Sequence, residues 1–197
     1  MDIINHFVEI EQGSALDLLR DQRPEAKEHA QKAFLALFAP ENTNGVTLEE
    51  RFAIAYFTAA LHGEEKIAAF YCRGLEFAGA SQPLIQATDQ AAKLNLRMGP
   101  YGSYPKGPLS GEDIPGPVFY APREVHEQLG LRLSAALSHA HLLVYHPRDS
   151  NTESLQQIFN AGWSEDAVVT ISQLITFLAY QIRLIYGLRV MTRCSEV

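Results

Sequence analysis

Apolar residues recur along this chain at intervals of three and four, the spacing that gathers side chains on one face of an α-helix. Between Pro24 and Pro40 the positions Ala30, Ala33, Phe34 and Leu37 follow that rhythm, and Pro24 suits a first helical turn. Thr47 and Glu50 make a Thr-x-x-Glu capping box, which predicts a helix from Leu48 to His62 that stops at Gly63. A third helix is expected from Glu64 to Gly79. Its first-turn acids favour the positive end of the helix dipole, and Ile67, Phe70, Leu75 and Ala78 form its apolar face. A fourth follows Pro83 to about Leu96.

The pattern then breaks. Between Met98 and Tyr120, five glycines and five prolines fall within 23 residues, a density that neither a helix nor a central strand tolerates. Long loops inside compact domains are uncommon, so this one is expected to pack over something, such as a neighbouring subunit. Helical spacing resumes from Pro122 to His146, where Pro147 stops it, and again from Asn151 to Ala161 before Gly162. Ser164, Glu165 and Asp166 open a last helix with Val168, Ile171, Ile175, Leu178, Ile182 and Ile185 on one stripe. Leu174, Phe177, Leu184 and Leu188 occupy its other faces, so it is expected to be buried nearly all round, at the centre of a bundle or in a subunit interface. No stretch alternates apolar and polar residues long enough to argue for a sheet. The expected fold is an all-α bundle forming one domain over 1–197, with helical halves at 24–97 and 121–191 joined by 98–120.

Composition narrows the function classes. A net charge of −7 without any basic run argues against nucleic acid and anionic membranes as partners. Cys72 and Cys194 lie far apart and show no paired spacing, so neither a disulfide framework nor a thiolate metal site is expected. The first residues lack a positive start and a sustained apolar run, so they do not read as a secretory signal. Polar interruptions in the stretch 167–191 argue against a membrane span. A soluble cytoplasmic protein is expected, and no cofactor is called for.

The order of parts resembles a known family. A helix ending in Leu61-His62-Gly63, a helix directly after it, a Gly/Pro-rich interruption and the run "NAGWSEDAVVTISQLITFLAYQIRLIYGLRVM" are similar to the alkylhydroperoxidase D-like group of the carboxymuconolactone decarboxylase family. The likeness is to its stand-alone peroxidase-related members. It runs over roughly residues 28 to 191 and rests on Gly162 to Ala167, Gln173, Phe177, Arg183 and Gly187-Leu188. It implies an all-α homo-oligomer and peroxiredoxin-type oxidoreductase chemistry. In the redox members of that group a Glu, two cysteines and a His carry the reaction: one thiol attacks peroxide, the other resolves the sulfenic acid, and the Glu and His relay the proton. Anchoring His62-Gly63 on the family's Asn-Gly places Phe52 at the Glu, Glu64 at the first Cys, Ile67 at the second and Tyr71 at the His. None keeps its chemistry, so the dithiol mechanism does not carry over.

Several residues remain as candidates. Cys72, beside Arg73, could act as a lone peroxidatic thiol, although a mid-helix cysteine lacks the dipole that lowers a thiol pKa and is more readily a packed one. His62, Glu64, Glu65 and Tyr71 could line a pocket suited to proton transfer or to a divalent cation, or Glu64 and Glu65 could be solvated first-turn acids. His139, His141 and His146 invite a metal reading, but on one continuous helix 139 and 141 diverge and 141 and 146 align poorly, so no metal is expected. Gln173, Tyr180, Gln181 and Arg183 sit in the apolar last helix and each would need a partner if buried. Tyr180 and Arg183 are therefore candidate contacts to a small-molecule ligand, with an ion pair to a protein carboxylate the alternative for Arg183. A catalytically silent protein that binds a small ligand, or assembles with an active relative, is the second expectation.

Overall fold

The computed structural model describes residues 2–99 and 101–195, with side chains through Thr192. Among these residues the chain is all-α: nine α-helices, two short 3₁₀ turns and no strand beyond one antiparallel bridge between Gly102 and Ile114. The helices are α1 (Ile3–Val8), α2 (Ala15–Asp21), α3 (Pro24–Phe38), α4 (Leu48–Leu61), α5 (Glu65–Phe77), α6 (Gln82–Asn95), α7 (Arg123–Tyr145), α8 (Thr152–Asn160) and α9 (Glu165–Ser195).

α4 lies at the centre, packed against α3, α5, α6, α7 and α9. Its sequence explains the position, because Ala53, Ile54, Ala55, Phe57 and Ala59 lie on several faces and all have no exposed surface. Thr47 closes both bonds of the capping box: the Glu50 N–H donates to Thr47 Oγ1 at 3.2 Å and the Thr47 N–H donates to Glu50 Oε2 at 2.8 Å. Gly63 turns the chain in the left-handed region at φ 73° and sends α5 back along α4. The two helices approach so closely at Gly74 that any Cβ there would overlap the Phe52 ring.

The central place expected for α9 goes to α4. α9 packs on α1, α3, α4, α7 and α8 along its Ile171, Ile175, Leu178, Ile182 and Ile185 stripe. The sector between those positions faces outward, so Gln173, Tyr180 and Arg183 are exposed and only Gln181 is buried. By length and composition Glu165–Thr192 would also qualify as a membrane span, but half of that apolar window is buried within the chain.

Two short helices precede the region in which the pattern is readable. Asp2 caps α1 by accepting the Asn5 N–H at 2.8 Å, and Ile3, Ile4 and Phe7 bury its inner face. The linker at 98–120 packs on its own chain. The Asn95 amide donates to the Tyr120 carbonyl at 2.6 Å and accepts the Tyr120 N–H at 2.8 Å. Arg148 donates to the Tyr101 carbonyl at 2.9 Å and covers the Tyr104 ring at 3.9 Å. α7 is broken at Gly130, at φ 72° and ψ 164°. Just beyond the break Arg132 pairs with Glu50 at 2.7 Å, donates to the Gly45 and Gly162 carbonyls and lies 3.5 Å over the Trp163 ring. That hub fixes the second half of α7 against α4 and the start of α9.

Candidate functional site

The α4–α5 junction does not bring the expected residues onto a common cavity. Tyr71 has no exposed surface, and its hydroxyl donates to Gln181 Oε1 of α9 at 2.7 Å. Burial pushes that hydroxyl far above its ordinary pKa, and the Gln181 amide nitrogen finds no partner. Ile67 is equally sealed. Glu64 stands at the N-cap of α5 but caps nothing; its carboxylate takes Arg189 of α9 at 3.1 Å, and Arg189 also donates to the Phe7 carbonyl at 3.0 Å. The ion pair considered for Arg183 therefore belongs to Arg189. Arg183 is exposed and donates along its own helix to the Ala179 carbonyl at 3.0 Å. Tyr180, 45% exposed, lines no described cavity.

His62 caps the end of α4 with its Nε2 buried and unpartnered. Burial, and then the charge of Arg183, lower its pKa to about 4, so it stays neutral. Cys72 is half-buried near Asp89, whose carboxylate accepts the Tyr56 hydroxyl at 2.8 Å. Burial first, then the charges of Glu76 and Asp89, push its thiol pKa up against the weaker pull of Arg73. A thiol held protonated is a poor nucleophile toward peroxide. The side chain of Cys194 lies outside the described residues.

A different place has the shape of a site. A cavity of about 650 Å³ opens between the linker at 117–121, α7 and α8. That volume is in the usual range for a small-molecule pocket. His126, His139, His141 and His146 all line it. His139 Nε2 meets Ser172 Oγ at 2.9 Å, and burial lowers its pKa. His141 is 2% exposed; burial, followed by His146 and Arg97, lowers its pKa to about 4. His126 Nδ1 lies 2.6 Å from Ser134 Oγ across the break in α7. Buried ring nitrogens of His139, His141 and His146 have no partner among the described residues. Leaving such a group unpaired costs about 1–3 kcal/mol, so three in one wall are an unusual concentration.

Here one expectation is overturned. His141 and His146 do meet, their rings edge-to-face with centroids 6.0 Å apart. The helix ends at Tyr145, and His146 at φ −146° has already left the helical track, so spacing on a continuous helix does not apply. Gly116 makes room from the linker side, since a Cβ there would overlap the His146 ring. Among the described residues no group of three or more His, Cys, Asp or Glu is placed to hold a metal ion. In the sequence only the cluster of His139, His141 and His146 points toward this cavity, because its remaining walls come from separate segments.

No family model, curated protein or solved structure matches this chain.

Proposed function

We propose that this chain is a cytoplasmic peroxidase-related protein of the alkylhydroperoxidase D-like group, in the carboxymuconolactone decarboxylase family, that no longer runs dithiol chemistry and binds a small molecule in the α7–α8 cavity. The family reading rests on the order of helices, the turn at His62-Gly63 between α4 and α5, and the long α9 laid against α4. Exposed Tyr180, Tyr186 and Val190 on α9 support assembly with further copies. The observation that carries the ligand-binding part is the contrast between two places. Side chains fill the positions that correspond to the redox residues, whereas the cavity beside His141 and His146 is open.

Naphthalene, an uncharged apolar probe, tests the cavity. Its fluorescence is expected to report saturable binding at one site per chain. Ala135→Trp, which places a large ring in the cavity wall, is expected to abolish that binding without lowering the thermal midpoint much. Absence of saturable binding in the unaltered protein would remove the reading.

A further inference from the structure

The outward sector of α9 has a regular spacing. Asp166, Val169, Gln173, Thr176, Tyr180 and Arg183 are all exposed and follow one another at alternating steps of three and four. Such a repeat averages about 3.5 residues, the period at which two helices stay in contact along their length. The rest of the helix is occupied by its own chain, since Leu174, Ile175, Leu178 and Ile182 are buried. The exposed stripe is therefore a continuous line rather than a scatter of uncovered side chains.

Its two ends carry opposite charges. Asp166 and Arg183 stand about 26 Å apart along the helix axis, and neither has an ion-pair partner among the described residues. Arg183 donates from Nη1 to the Ala179 carbonyl at 3.0 Å and has further N–H groups to offer. A parallel copy of α9 would set Arg183 against Arg183 and Asp166 against Asp166. An antiparallel copy, related by a two-fold axis at the level between positions 174 and 175, does the reverse. Asp166 then faces the partner's Arg183, Val169 the partner's Tyr180, and Gln173 the partner's Thr176, each repeated by symmetry. Every member of the stripe meets a complement. Moving one copy by a heptad sets Arg183 on the partner's Gln173 and Asp166 on the partner's Val190, which leaves both charges unanswered.

Resting on the reading that the exposed side of α9 assembles with further copies, we infer that its partner is the α9 of a second copy of this chain, laid antiparallel, with the Asp166 and Arg183 pairs setting the register. Val169 and Tyr180, 55% and 45% exposed in the single chain, supply the apolar contact between those pairs. Two short rows of side chains bury little surface, so the dimer forms in the micromolar range rather than permanently.

Sedimentation equilibrium of the full chain tests this, at about 0.1 M salt, where charges more than roughly 10 Å apart are screened and contact pairs are not. Arg183→Asp and Asp166→Arg each place like charges face to face twice, and each is expected to weaken the dimer at least about tenfold. An equimolar mixture of the two variants is expected to form a heterodimer with about the affinity of the unaltered chain, because both pairs are restored with their signs exchanged. The double variant is expected to recover the homodimer for the same reason. Both positions are exposed, so the variants should keep the unaltered melting profile. A dimer that neither exchange weakens, one weakened by Arg183→Asp alone, or a mixture that fails to recover overturns the inference and leaves the assembly reading intact. An unaltered chain that stays monomeric at about 100 µM removes both, since even a small interface would associate there.

Discussion

Arg51→Ala is expected to lower the stability of this protein by about 5 kcal/mol, the largest effect of any single truncation considered. Arg51 is 1% exposed, and its guanidinium donates to three backbone carbonyls: Leu37 at 2.8 Å, Thr43 at 2.7 Å and Val46 at 3.0 Å. Among the described residues no carboxylate pairs with it, and burial lowers its pKa. The charge is instead met by carbonyl dipoles, and that of Leu37 belongs to the last turn of α3, the negative end of that helix. The side chain thereby fastens the α3–α4 connection onto the first turn of α4, the central helix. Alanine leaves three acceptors unpaired and a void where the guanidinium stood. Arg51→Lys should recover only part of the loss, because an ammonium cannot span three diverging acceptors. Thermal unfolding followed by circular dichroism checks this. For a chain of this size the midpoint is expected to fall by roughly 10–20 °C in Arg51→Ala. A shift of a degree or two would show that the connection does not depend on Arg51.

Acidification is the second large effect. His62 and His141 are held neutral in the folded protein with pKa values lowered to about 4, against an ordinary value of 6.5. Burial is the main cause in both, with Arg183 adding to it at His62, and His146 and Arg97 at His141. His139 is lowered by burial alone. Between about pH 6.5 and 4 the unfolded chain binds protons that the folded chain refuses, so stability is fully present above 6.5 and is lost as pH falls toward 4. Each such histidine contributes a slope of about 1.4 kcal/mol per pH unit within that window. For His141, 2% exposed, the whole window amounts to something on the order of 3 kcal/mol. Melting curves from about pH 7.5 down to 4.5 should therefore show a steep decline in midpoint. His141→Phe, which keeps a ring against Phe119 and Tyr145, is expected to flatten that decline by about one proton. A midpoint indifferent to pH across the window would mean that these histidines are hydrated in the folded state.

Most of the helices were legible because their signals are local. A capping box, a proline at a first turn or a glycine after a last apolar position acts within a few residues, and α3 to α9 begin and end within a few residues of the expected bounds. α1 and α2 escaped because six or seven residues are too few to establish a periodic stripe, although Asp2 and Ser14 do cap them. The break at Gly130 was equally hidden, since a glycine inside a helical pattern is as often tolerated as it is a kink.

Which sector of α9 its own chain leaves uncovered is not readable from the pattern, for another reason. An apolar count around the helix does not say which sector a neighbour covers, and the exposed Tyr180 and Tyr186 share that helix with the sealed Leu174 and Gln181. Arg51 was invisible as a structural residue because an arginine one turn into a helix ordinarily faces water; what buries it is the returning α3–α4 connection. The cavity depends on tertiary placement in the same way. His141 and His146 come together through the end of a helix, and Phe119 and Ile158 reach them from distant segments.

Consumption of an alkyl hydroperoxide in the presence of dithiothreitol, with the oxidation state of Cys72 read by mass spectrometry, tests most directly the proposal that this chain keeps a thiol-peroxidase scaffold without its dithiol chemistry. In a Cys194→Ser background the expected rate is that of buffer alone, unchanged by Cys72→Ser, with Cys72 remaining reduced. Catalytic turnover that disappears in Cys72→Ser, accompanied by sulfenic acid or a mixed disulfide at Cys72, would contradict it.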